Sequence, residues 1–385
     1  MNHSSMSGYP LHKAALVGLW GFAAALAGGC ASMHGDRTSP QVPSPQAALQ
    51  QTASRYGVCA TAAIIRHRQL HSVDVAPGCT YTSLLTQDSI FEAASLSKPV
   101  FAYAVLKLVQ TGKMDLDAPV LQYLPEGYLH QAQPYRETSK TERVTDPRLR
   151  DITVRMALNH TSGLPNWADG ALIFEQPPGE KWQYSGEGYV LLQRAVEAVT
   201  GENLNTFMHR QVFQPLGMKN SAFVRESRLE AQIIAGATND GVVVRPFPFK
   251  TPVAAFSLYT SAGDYGLFLA TLLNDERTLK QITDSPVPVN PKLNLNWGLG
   301  WGLERREDET VIWHWGNNPG YRAFAMASSI HGDGFVIFTN SDAGLALAKP
   351  FADAVLPQHP HKLFRFHLLR EGLSSLLCET FDFCV

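Results

Sequence analysis

Ser95 and Lys98 stand three residues apart, and Pro99 follows at once. Proline suits the opening turn of a helix and breaks its interior, so Pro99 assigns both residues to a helix start. There, residues i and i+3 share one face. A lysine beside a serine hydroxyl can take its proton once burial has lowered the lysine pKa, leaving an oxygen able to attack a carbonyl carbon. The free N–H groups of the helix start can hold the negative oxygen that then forms. Spacing alone supports this weakly, since a chain of 385 residues holds roughly one Ser-x-x-Lys by chance at ordinary residue usage.

The elements that must position this pair are legible as periodicities. Phe101, Ala104, Val105 and Leu108 recur at i, i+3, i+4, i+7 and Gly112 follows, which predicts a helix running on from the serine. From Tyr56 to Val75 the pattern is strand-like. Val58, Ala60, Ala62 and Ile64 alternate, and His67-Arg68-Gln69-Leu70 reads as a hairpin turn. A second helix carries Tyr189, Leu192, Val196 and Val199 and stops at Gly201. The segments 297–306, 311–315, 322–330 and 335–340 read as successive strands, the last two joined by His331-Gly332-Asp333. Strands at both ends with helices between predict an α+β fold: one sheet layer (53–97 and 290–356) closed by both ends of the domain, with a helical region (98–289) inserted.

Around the serine the chain reads Phe91-Glu92-Ala93-Ala94-Ser95-Leu96-Ser97-Lys98-Pro99-Val100. This resembles the nucleophile segment of the penicillin-binding protein and class C β-lactamase family of serine hydrolases. Leu158-Asn159-His160-Thr161-Ser162-Gly163-Leu164-Pro165, Pro215-Leu216-Gly217-Met218 and Gly298-Leu299-Gly300-Trp301-Gly302 resemble further family segments in the same order. The resemblance covers about residues 53–345. It implies an antiparallel sheet flanked by helices, a mostly helical subdomain, and an active site between them.

The resemblance also assigns roles. Tyr184-Ser185-Gly186 occupies the family's Tyr-x-Asn position, so Tyr184 would carry a proton between Ser95, Lys98 and the leaving group. Gly186 departs from the pattern by lacking the amide. His314-Trp315-Gly316 occupies the Lys-Thr-Gly or His-x-Gly position. His314 would face the opposite way from Trp313 and Trp315. Gly316 would let the backbone approach substrate, and the N–H of Asn317 would join that of Ser95 as an oxyanion hole. A neutral imidazole attracts a carboxylate less than an ammonium does. The implied activity is therefore acyl-enzyme hydrolysis of small esters or amides. The alternatives are a β-lactamase, a D-alanyl-D-alanine carboxypeptidase, a sensor that keeps the acyl group, or a structural lipoprotein without activity. The substrate would be a small ester, a β-lactam or a peptide, with no cofactor.

The N-terminus reads as an export signal: Lys13, then a mostly apolar run from Ala14 to Gly29. Leu26-Ala27-Gly28-Gly29-Cys30 resembles a lipoprotein box, which would make Cys30 lipidated and anchor a periplasmic protein to a membrane. Simple secretion with cleavage after Ala27 is the other reading. Residues 31–52, rich in Ser, Pro, Gln and Ala over 31–50, read as a flexible linker, and 53–356 as the hydrolase domain. Without Cys30 the cysteines are Cys59, Cys79, Cys378 and Cys384, an even set suited to disulfides in an exported protein. Cys59 and Cys79 lie almost symmetrically about the predicted turn, so a bridge between them is possible; two buried thiols are the alternative. In the tail 357–385, Phe366, Leu369, Leu373, Leu376 and Leu377 form an amphipathic stripe. It would pack on its own domain or, with Lys362, Arg365 and Arg370, touch a membrane.

Other classes are disfavoured. The formal net charge is −2 with no basic runs, against nucleic acid as a partner. Gly-x-Ser-x-Gly and His-Glu-x-x-His are both absent. His67 and His71 fall in a predicted turn and are not read as metal ligands. Trp182 and Trp301 are candidates for a cleft wall or the core. Arg322 reads as a solvated sheet arginine that could otherwise meet a substrate anion. Composition says nothing of oligomeric state.

Overall fold

The computed structural model describes residues 43–80, 85–358, 360–366 and 369. Cys30, Cys378 and Cys384 lie outside them. The fold is α+β. An antiparallel sheet carries eight strands in the order β2-β1-β14-β13-β12-β11-β10-β9. The strands are β1 (Cys59–Arg66), β2 (Gln69–Pro77), β9 (Val287–Asn290), β10 (Leu295–Trp297), β11 (Gly302–Arg305), β12 (Thr310–Asn318), β13 (Tyr321–Ser328) and β14 (Gly334–Thr339). Two-stranded pairs lie apart from it: β3 (Ile90–Glu92) with β8 (Tyr259–Ser261), β4 (Leu129–Gln131) with β5 (Thr141–Arg143), and β6 (Gly236–Ala237) with β7 (Val243–Val244).

The first strand pairs with the last, Ala60 facing Thr339, so both ends of the domain close the sheet as expected. β1 and β2 turn through His67 and Arg68, both at positive φ, the geometry of a tight hairpin. The Cys59–Cys79 disulfide ties the far ends of that hairpin. The segment 297–306 is not one strand. It is a hairpin, β10 to β11, turning through Gly298-Leu299-Gly300-Trp301. Gly300 has φ +86°, and a Cβ on Gly298 would come within 1.9 Å of the Ile282 carbonyl oxygen, so these glycines belong to a turn pressed onto a neighbouring helix.

Period-two alternation divides the sheet residues between two apolar layers. Ala323, Ala325, Ala327, Val336 and Phe338 face inward, toward α2 (Ser97–Gln110), α4 (Glu187–Thr200) and α7 (Ala262–Asn274). Trp313, Trp315, Phe324, Met326, Phe335 and Ile337 belong to the outer layer, which also holds residues of α1 (Pro45–Tyr56) and α9 (Ala348–Val355). Gly112 and Gly201 follow the ends of α2 and α4 in the left-handed conformation that stops a helix.

Helix α1 corrects the reading of 31–52 as linker throughout. Ser44 accepts a hydrogen bond from Ala47 N, Pro45 occupies the first turn, and Leu49 and Ala53 are buried in the outer layer. The Ser-Pro pair read as linker composition is a helix start. In the tail, Leu363, Phe366 and Leu369 are buried in the same layer; Leu373, Leu376 and Leu377 lie outside the described residues. No helix among the described residues is long and apolar enough to cross a membrane, and no cluster of metal-ligating side chains occurs among them.

Candidate active site

The nucleophile turn is built between two sheets. β3 pairs with β8 and ends at Glu92. The chain then turns through Ala94, a non-glycine residue at φ +48°. That conformation costs an L-residue about 1–2 kcal/mol and lifts Ser95 out of the strand into a short helical turn, Ala94–Leu96, that runs directly into α2. Ser97 holds the turn: its Oγ donates to Ala94 O at 2.6 Å and accepts from Leu258 N at 3.0 Å.

Lys98 points back at the serine. Its Nζ lies 3.1 Å from Ser95 Oγ and donates to Ala255 O at 2.9 Å. The side chain is fully buried, and desolvation pushes its pKa down to about 7. An amine in that state is about half free base at neutral pH, where an ordinary lysine is almost wholly protonated. The Ser-x-x-Lys spacing therefore becomes a base within reach of a hydroxyl.

Tyr184 closes the group. Its ring centre lies 4.8 Å from Lys98 Nζ, and its hydroxyl faces Ser95 without completing a well-formed hydrogen bond among the described residues. Burial raises its pKa despite Ser95, so it stays a phenol at neutral pH: a proton donor, not a resting phenolate. The segment before α4 is anchored next to it. Ser185 N donates to His160 Nδ1 at 3.1 Å, and Ser185 Oγ accepts from Gly188 N at 2.9 Å.

His314 is on the inward side of β12, opposite to Trp313 and Trp315. It is fully buried behind Tyr184, ring centres 6.2 Å apart, and is not among the residues lining the cleft. Its Nδ1 donates to Trp315 O at 2.8 Å. Burial, and then the charge of Lys98, lower its pKa to about 3, so it is neutral at every physiological pH. Gly316 follows. A Cβ there would come within 2.3 Å of Ala93 O and 3.2 Å of Ala94 Cβ. The bare α-carbon brings β12 against the nucleophile turn, and Asn317 and Ser95 line the same cleft as a result.

That cleft has a volume of about 1070 Å³. Trp182 is in its wall; Trp301 is in the inner core. Arg322 is neither solvated nor free: it is buried at the cleft edge, its Nη1 2.7 Å from Asp342 and donating to Asn318 O and Tyr321 O.

Several contributors carried no role in the sequence reading. His160 stands at φ +61° with its ring 4.4 Å from that of Tyr184. The Ala255 carbonyl holds the lysine, and Tyr135, Asn166, Trp167 and Phe256 line the cleft. His160 lay inside a quoted motif, and the vacancy at Gly186 was a signal that another group fills that space. The carbonyl had no signal, because any residue has one.

A family model described as Beta-lactamase matches residues 47–356. The chain belongs to the beta-lactamase family. A penicillin-binding protein of Bacillus subtilis (strain 168) is 25% identical over 323 residues, covering 73% of this chain and 66% of that protein. Esterase EstB of Burkholderia gladioli is 32% identical over 177 residues, 36% of this chain and 40% of that protein. The chain thus aligns with only part of the length of either relative. Among solved structures, D-alanine carboxypeptidase AmpC from Burkholderia cenocepacia superposes with a TM-score of 0.65 at 17% identity, over 81% of this chain and 99% of that one. This last likeness shows the shared fold. Within the beta-lactamase family, the relatives include both penicillin-binding proteins and esterases.

Proposed function

We propose that this family member hydrolyses small neutral esters or amides through an acyl-enzyme on Ser95. The carrying observation is the 3.1 Å approach of a buried, low-pKa Lys98 to Ser95 Oγ. Lys98 takes the Ser95 proton as Oγ bonds to the substrate carbonyl carbon. The carbonyl oxygen becomes an oxyanion facing the N–H groups of Ser95 and Asn317. The C–O or C–N bond then breaks, and the leaving group receives a proton through Tyr184 from the lysine ammonium. Water repeats the addition on the acyl-serine, which releases the acid and restores the hydroxyl and the amine. Each oxyanion donor is worth roughly 3 kcal/mol in such sites.

Esters are favoured over β-lactams by what the cleft offers a carboxylate. Position 186 has no amide, His314 is neutral and hidden behind Tyr184, and Arg322 is already paired with Asp342. An export route is part of the same reading, supported by the Cys59–Cys79 bridge and the N-terminal signal-like segment.

Intact-mass analysis after exposure to a fluorophosphonate, a penicillin and a p-nitrophenyl ester tests the proposal. The expected result is labelling of the wild type, none in Ser95→Ala, and kcat/KM for the ester at least about tenfold above that for a cephalosporin, equal to roughly 1.4 kcal/mol. Labelling that survives in Ser95→Ala would refute the mechanism. A lasting penicillin adduct without ester turnover would establish the sensor instead.

A further inference from the structure

Gly186 has more than an absence to explain. A Cβ at that position would meet Trp167 Cη2 at 2.6 Å, Trp167 Cζ2 at 2.7 Å and Asn166 O at 2.7 Å. The space beside the helix start that carries Tyr184 is occupied by an indole. Trp167 nevertheless remains 42% exposed and lines the cleft.

This exposed ring is held from both sides. Gly186 N donates to Asn166 O and to Asn166 Oδ1, each at 3.1 Å. Ala168 N donates to Glu187 Oε1 at 3.1 Å, and Glu187 is itself buried with its other oxygen 3.3 Å from His130 Nε2. The residues before and after Trp167 are therefore pinned to the first turn of α4. An exposed tryptophan on an anchored segment is a preformed surface, with little ordering left to oppose binding.

The ring continues into a wall. Trp167 meets Phe256 edge-on at 5.1 Å, and Phe256 meets Tyr135 edge-on at 6.0 Å. Phe256 follows the residue whose carbonyl holds Lys98, so this wall begins beside the nucleophile. Of the charged side chains lining the cleft, Arg322 is paired, and Asp169 is an exposed carboxylate.

We infer that Trp167, seated on Gly186 and backed by Phe256 and Tyr135, is a specificity platform for an aryl group on an uncharged substrate. The inference rests on the ester and amide reading above and names its substrate class. Aromatic faces reward a flat apolar group, and among the described residues lining the cleft no unpaired cation awaits a negative charge.

Equilibrium binding to the Ser95→Ala protein tests this without turnover. The probes are methyl 2-naphthylacetate, 2-naphthyl acetate and ethyl acetate. At least one naphthyl ester should bind at least tenfold tighter than ethyl acetate, and the tighter one shows which half of the substrate meets the platform. Adding Trp167→Ala should remove at least fivefold of that preference. Gly186→Asn, which puts a side chain where the indole sits, should do the same. Thermal melts of each variant report folding, and Trp167→Leu replaces any variant that melts early. Equal binding of all three esters, or a preference that survives both Trp167→Ala and Gly186→Asn, overturns the inference. Failure of the wild type to label with fluorophosphonate would refute the hydrolase reading instead, and this binding comparison would still decide the platform.

Discussion

Glu92 accepts a hydrogen bond from the Asn318 amide at 2.7 Å, joining the strand that leads into Ser95 to the strand that ends beside Asn317. The other Glu92 oxygen accepts from Phe247 N at 2.7 Å. Burial pushes its carboxyl up to about 7 against these favourable bonds. The two halves of the site thus meet at a carboxyl that binds a proton more readily in the folded protein than in the unfolded chain.

A pH-dependent stability follows. A raised folded pKa means that Glu92 contributes most below its unfolded value of 4.5, and that the contribution is lost as pH rises through about 7. The stability difference between wild type and Glu92→Gln should therefore shift against the wild type between pH 4.5 and 7.5, by up to about 3 kcal/mol. Urea titrations of both proteins across that range measure it. A constant difference would show that Glu92 does not titrate there.

The rate should follow the opposite sense. Lys98 works as a free amine, and its pKa stands at about 7. For a neutral ester, kcat/KM should rise about tenfold per pH unit below 7 and level off above it. Lys98→Ala should lower the plateau by about 10²–10⁴-fold. A flat profile from pH 5 to 9 would remove the lysine from the base role.

Gly316→Ala should act through position. The new methyl would enter the space of Ala93 O, and it can be relieved only by moving β12 away from the Ser95 turn. A displacement on the order of 1 Å costs about 10²-fold in rate. The expected result is that loss in both ester turnover and fluorophosphonate labelling, with a lesser drop in Tm. Unchanged labelling would show that the strand and the turn do not depend on each other.

Joining Cys59 to Cys79 across a separation of 20 residues restricts the unfolded chain by about 3 kcal/mol. The double variant Cys59→Ala/Cys79→Ala should lose stability of that order in denaturant titrations, and dithiothreitol should lower the wild-type midpoint but not the variant's. Equal responses to the reductant would place the sensitive bridge elsewhere.

The site was legible where chemistry depends on side-chain type at fixed spacing. Helical periodicity and Pro99 gave the α2 stripe and set Ser95 and Lys98 on one turn, their chemistry resting on the resemblance of the segments around them, and the period-two pattern placed His314 on the face opposite its tryptophan neighbours. What escaped was set by the backbone and by distant packing. Nothing about alanine announces that Ala94 takes φ +48°, because tertiary contacts impose that conformation against its preference. The start of the domain was misplaced because Ser and Pro serve linkers and helix starts equally well. Only the burial of Leu49 and Ala53 separates the two. Arg322 was misjudged because Asp342, its partner, is distant in sequence and in a loop beyond β14.

The pairing of β1 with β14 sets the order in which this protein can be made. Ala60 must wait for Thr339 before the two strands can join. Until residues 334–339 have been synthesised, the inner face of β1 and the helices meant to lie on it lack the neighbouring strand β14. Contacts so distant in sequence form late, and exposed strand edges invite aggregation meanwhile. A chain truncated before residue 334 would keep Ser95 and Lys98 in its sequence yet have no finished sheet against which to set them.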